Sequence, residues 1–129
     1  METRFIVLLA AIHGLIATGA SALGSHFLAR YLVAGGAGLF SQAATYQFFH
    51  ALAMLGTAFV AYRVDDGMPG RAAFAFFFGA LLFSGSLYIR ALMGPGSLGP
   101  FHWLTPIGGL CLMAGWVMLA LAALKIKER

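Results

Sequence analysis

Charge is what this sequence has least of. Eight Lys or Arg and four Asp or Glu make up 9% of its 129 residues, where a soluble domain carries about 25%. Twelve charges cannot solvate a chain that is 61% hydrophobic, and a mean hydropathy of +0.90 excludes a water-soluble enzyme. Cysteine is nearly absent too. Cys111 stands alone, so neither an intrachain disulfide nor a cysteine-based metal site is available, and it reads as a small apolar filler. Catalytic motifs are missing: there is no phosphate or dinucleotide glycine loop, no His-Glu-x-x-His and no Ser/His/Asp set, since the only aspartates are the adjacent Asp65 and Asp66. Inverted repeats of the transporter kind are not evident. The expectation is a protein that is not an enzyme and holds no cofactor or metal.

What is present in quantity is uninterrupted apolarity. Four charge-free runs, Phe5–Ala29, Tyr31–Tyr62, Ala72–Ile89 and Ala91–Leu124, take up most of the chain. A helix needs roughly 20 apolar residues to cross a hydrocarbon core of about 30 Å, so each run can supply one span. Lipid offers backbone groups no partner, which leaves helices or closed barrels. Continuous apolarity, without the in-out alternation of a barrel strand, selects helices. The sequence thus predicts an all-α, four-helix transmembrane bundle, a single domain over residues 1–129, with spans at about Phe5–Gly24, Ala43–Tyr62, Ala72–Ile89 and Leu104–Leu124. The glycine cluster Gly35-Gly36-Ala37-Gly38 is expected to interrupt helix in the first link, Ser25–Gln42. A polar turn, Arg63–Arg71, forms the second link, and Arg90–Trp103, with Pro95 and Pro100, the third.

The few charges give direction. Arg4, Arg63, Arg71, Lys125, Lys127 and Arg129 fall at the termini and second link, whereas the first and third links hold only Arg30 and Arg90. Cytoplasmic loops carry the Lys and Arg excess, so both termini are expected in the cytoplasm. The sequence pI is about 9.7, yet the basic residues are scattered singly at the ends of apolar runs. Lipid headgroups, not nucleic acid, are their expected partners. A competing reading makes Phe5–Ile16 the core of a secretory signal with Ala20-Ser21-Ala22 as its cleavage site. The small residues Gly14, Thr18 and Ala22, spaced by four, equally describe a close-packed helix face.

With direction set, depth can be read. Gln42, Tyr46 and His50 recur at i, i+4 and i+8, on one helix face, in the non-cytoplasmic half of the second span. Ser84, Ser86 and Tyr88 end the third span at the same level. His26 closes the first span, and His102, Thr105 and Pro106-Ile107-Gly108-Gly109 open the fourth. Polar side chains in lipid face the bundle interior or a watered cavity. The layer therefore reads as interhelical glue, each contact worth roughly 0.6–2 kcal/mol. The alternative is a pocket for a small ligand, lipid headgroup, quinone or metal. His26 or His102 with His50 is the only pairing suited to bis-histidine ligation of haem or copper. His13 stands apart, its helical neighbours Leu9, Ala10, Ile16 and Ala17 all apolar. The phenylalanines Phe74, Phe76, Phe77 and Phe78 read as lipid-facing bulk. No intramembrane acid or base other than histidine is present, which argues against a proton-coupled pump.

Four ordered segments carry a family likeness: Ala22-Leu23-Gly24-Ser25-His26-Phe27-Leu28, Ala44-Thr45-Tyr46-Gln47-Phe48-Phe49-His50-Ala51-Leu52-Ala53, Phe83-Ser84-Gly85-Ser86-Leu87-Tyr88, and Thr105-Pro106-Ile107-Gly108-Gly109 with Gly115-Trp116. Together, over essentially the whole chain, they resemble the domain of unknown function 423 family, the YgdD-type small membrane proteins. One departure is visible, Gly24-Ser25-His26 standing where the family usually reads Gly-Ala-His. The resemblance implies a four-helix protein of the bacterial inner membrane with no assigned activity. It also implies that the family's recurring positions, here His26, Tyr46, His50, Ser84, Ser86, Tyr88 and Thr105 among them, coincide with the polar layer. A structural or accessory role, alone with lipid, as a homo-oligomer or in a larger membrane complex, is the reading that follows.

Overall fold

A computed structural model describes residues 2–128. Four α-helices run through them: α1 (Thr3–His26), α2 (Gly36–Arg63), α3 (Met68–Met93) and α4 (Leu104–Ala123), with single 3-10 turns at Ala29–Tyr31 and Gly99–Phe101. No strand occurs among the described residues. Each helix packs chiefly on its neighbour in the chain, so α2 and α3 form the centre, with α1 laid on α2 and α4 on α3. Twelve of the 28 residues of α2 are buried, against four of 24 in α1.

Large and small residues are distributed as lipid demands. Leu15 is 76% exposed, Leu110 64% and Met113 65%, whereas the buried positions are largely alanine, including Ala10, Ala43, Ala51, Ala72, Ala73 and Ala80. Lipid tails are as apolar as leucine, so helices associate through close packing of small residues and leave bulk outside. At Gly108 the approach of α4 to α3 is closest: an added Cβ would overlap the backbone of Phe83. A compact cluster of Ile6, Met54, Phe76 and Leu112, one residue from each helix, closes the centre.

Three segments are long and apolar enough to cross a membrane: Thr3–His26, Met68–Met93 and Gly99–Ala123. α2, expected as the second of four such spans, is the exception. Gln42, Thr45, Gln47, His50 and Thr57 lower its hydropathy, and the flanking helices hide much of what they add.

The first link differs from expectation. Its glycine cluster begins α2 instead of breaking helix. Gly35 takes φ +77° and caps the helix, and Gly36 sits against the carbonyl of Ala91 where a Cβ would not fit. The Val33 N–H also donates to Ala91 O, 3.0 Å. The end of α3 thus captures residues that local propensity would leave in a loop. α2 gains more than a turn, and its 28 residues extend about 42 Å. α1, for its part, runs unbroken through Ala20-Ser21-Ala22. Removal at that point would strip Ile6, Ala10 and His13 from the core.

The phenylalanine run divides. Phe74 and Phe78 are about half exposed, but Phe76 is fully buried, edge-on to Trp116 at 5.1 Å. Helical periodicity, not composition, sorts them, because Phe76 follows Ala72 and Ala73 on the inward face.

Candidate functional site

α2 begins at Gly36, which places His50 at the middle of its helix. Two histidines hold the centre of the protein. His13, buried on α1, places Nε2 3.1 Å from the main-chain oxygen of Phe77 on α3. Its Nδ1 is 2.9 Å from Gln47 Nε2 on α2. The Tyr88 hydroxyl of α3 donates to Gln47 Oε1 at 2.8 Å.

The chemistry of these atoms fixes every direction in the chain. A carbonyl can only accept, so His13 carries its proton on Nε2. The other ring nitrogen must then accept, which orients the Gln47 amide with nitrogen toward His13 and oxygen toward Tyr88. One neutral tautomer satisfies all four groups. Expected to be isolated among apolar neighbours, His13 is instead where α1, α2 and α3 meet. Its own helix offers it nothing, and its partners come from 34 and 64 residues away.

His50 repeats the logic between α2 and α4. Its Nδ1 lies 2.6 Å from Tyr46 O, one turn back, and Nε2 accepts from Trp116 Nε1–H at 3.1 Å. The opposite tautomer is selected here. Phe76 contacts both rings, at 5.7 Å from His50 and 5.1 Å from Trp116. A third contact closes the α3–α4 end: Thr105 Oγ1 and Ser86 Oγ are 2.6 Å apart. Ser86 in turn donates to Phe83 O at 2.8 Å.

The expected polar layer therefore separates into parts. His50, Ser86, Tyr88 and Thr105 are engaged, each with another helix. Tyr46 stacks on His50, with ring centroids 6.0 Å apart, and its hydroxyl has no hydrogen-bond partner among the described residues. Gln42 is exposed and makes no side-chain bond among the described residues. His26, at the exposed end of α1, lines a separate cleft against Thr45 and Phe48 of α2. Ser84 is 1% exposed and its oxygen is unpartnered. The i, i+4, i+8 face drawn from Gln42 is thus not the buried one. The inward face of α2 runs through Ala43, Gln47, His50 and Met54.

The histidine pairings considered for haem or copper are not assembled. His102 Nδ1 bonds its own turn, 3.1 Å from Gly99 O, and both nitrogens of His50 are committed. Among the described residues no group of three or more His, Cys, Asp or Glu is placed to hold a metal ion.

Residues 20–109 match the family model described as "Protein of unknown function (DUF423)". The UPF0382 inner membrane protein YgdD of Escherichia coli K12 is 34% identical over 129 residues, covering all of this chain and 96% of the relative. A UPF0382 membrane protein of Staphylococcus saprophyticus is 33% identical over 95% of this chain and 99% of its own length. For the UPF0382 membrane protein YwdK of Bacillus subtilis the identity is 32%, with 95% and 98% covered. No solved structure matches.

Proposed function

Since the chain belongs to the DUF423 family, multi-pass membrane proteins of unassigned activity, we propose that it is a non-catalytic component of the bacterial inner membrane, its polar residues serving to fix helix packing. The observation that carries this reading is closure of the central network. His13, Gln47, Tyr88, His50 and Trp116 spend their hydrogen bonds on one another and on helix carbonyls, which leaves little polar chemistry for a substrate in the centre. Apolar surface alone would not specify which faces of α1 to α4 meet, because lipid competes equally for it.

In this reading both termini and the α2–α3 turn face the cytoplasm, as the six-to-two distribution of Lys and Arg supports. The protein acts with others, as a homo-oligomer or as a small subunit of a larger assembly. Native-gel migration of mildly solubilised membranes tests the accessory role. A species larger than the 13.6 kDa chain with its bound detergent is expected, and a lone monomer at all protein concentrations would refute it. A ligand pocket would have to draw on polar atoms outside these bonds, since those of His13, Gln47 and His50 are spent within them.

A further inference from the structure

Bordering that network at His50 and Trp116, a cleft of about 850 Å³ opens sideways between α2 and α4. This is the size of a small-molecule site, about 300–1,000 Å³. Its walls are the rings of Tyr46, Phe49, Phe83 and Trp116, with Pro106 and Gly109 of α4 beside them. The walls are held in place. Tyr46 packs on Phe83 at 5.2 Å, and the bond to His50 pins the Trp116 indole with half of its surface left open.

The cleft also contains a polar group without a partner. Of the four tyrosines, Tyr31 and Tyr62 lie at helix ends, where headgroups and water serve them, and Tyr88 donates to Gln47. Among the described residues, Tyr46 alone of the four stands well inside its helix with no acceptor for its hydroxyl. In hydrocarbon an unpaired donor is costly, and an acyl chain carries no acceptor. A flat ring bearing a carbonyl oxygen does both things the cleft asks for: it stacks among aromatic faces and accepts from Tyr46. We propose that the α2–α4 cleft binds a quinone, its ring among Tyr46, Phe83 and Trp116, one carbonyl oxygen on the Tyr46 hydroxyl, and its tail in the surrounding lipid. The inference concerns binding alone and does not rest on the packing role proposed above.

Tryptophan fluorescence reads the site directly. The chain has two tryptophans, and Trp103 is exposed before α4, so Trp103→Phe leaves Trp116 as the reporter. Titration of that protein in nanodiscs with a decyl-tailed benzoquinone should give saturable quenching. Tyr46→Phe should raise the half-saturation concentration roughly two- to tenfold, the worth of one neutral hydrogen bond. Gly109→Leu should abolish the saturable part by filling the cleft. A Cβ at that position meets only the Phe83 ring, at an ordinary 3.8 Å, and unchanged helical circular dichroism checks that the variant stays folded. Quenching that rises linearly and equally in all three proteins would overturn the proposal. So would saturable quenching by brominated phospholipid that the benzoquinone fails to displace, which would assign the cleft to an acyl chain.

Discussion

Gln47 Nε2 faces His13 Nδ1 at 2.9 Å in the middle of the protein, and a main-chain oxygen on a third helix decides which of the two donates. Phe77 O accepts from His13 Nε2–H, and that single constraint propagates through Gln47 to Tyr88. Three helices thereby share one set of hydrogen-bond directions. A sliding helix register would reverse none of these preferences and satisfy few of them.

The His50–Trp116 pair predicts a local signature. His50→Leu removes the acceptor of the indole N–H and should cost about 1–3 kcal/mol, read as a lower melting temperature in detergent. Near-ultraviolet circular dichroism from Trp116 should weaken while helical content is retained. A variant melting with the parent would show that the bond contributes nothing.

Gly108 and Gly109, adjacent in sequence, should respond oppositely. Gly108→Ala drives a methyl into the backbone of Phe83, and neither main chain can yield without separating α3 from α4. Gly109→Ala meets only ordinary contact at 3.8 Å. A loss of several degrees in melting temperature is expected for Gly108→Ala and almost none for Gly109→Ala. Equal melting temperatures would contradict the close α3–α4 packing.

How much of this was legible in the sequence follows from where each residue finds its partners. The four helices could be read because charge exclusion is local to each run. His13 could not, because its apolar neighbours on α1 say nothing of Gln47 or Phe77 on other helices. Gln47 is hidden for a similar reason: the spacing of Gln42, Tyr46 and His50 marks a face, but not which face is inward. Trp116 stood only in a family segment. Its pairing with His50 depends on Phe76 holding both rings, a contact between three helices that no sequence spacing encodes. The start of α2 at Gly36 was hidden by glycine's low helix propensity, which close packing on Ala91 overrides.

At the charged end, Asp66 ties the α2–α3 turn to the chain beyond α4. Its carboxylate accepts from Lys125 Nζ and from the Met68 N–H at 2.7 Å. Lys125 and that N–H hold the carboxyl below the usual carboxylate range. The contribution is therefore complete above pH about 4, where a free aspartate is ionised, and is lost as pH falls through the lower folded-state value. Protease sensitivity of residues 124–128 should rise only in that acid range for the parent, and be high at neutral pH in Asp66→Asn. Identical digestion of the two proteins at neutral pH would sever the link.

Topology is tested with single cysteines. In a Cys111→Ala background, a cysteine replacing Gly67 in the α2–α3 turn should resist membrane-impermeant maleimide in intact cells. One replacing Ser97 in the α3–α4 link should react. The reverse pattern would invert the proposed orientation.

The central claim, that buried polar groups hold the helices together through bonds between helices, is tested most directly by a double-mutant cycle on His13 and Gln47. Unfolding of the parent, His13→Leu, Gln47→Leu and the double variant would be followed in mixed micelles. Each single change strands the other's polar atoms, at about 1–3 kcal/mol. The double variant should cost less than the sum of the two, with a coupling of at least about 0.5 kcal/mol. Strictly additive losses, or single variants as stable as the parent, would contradict the account.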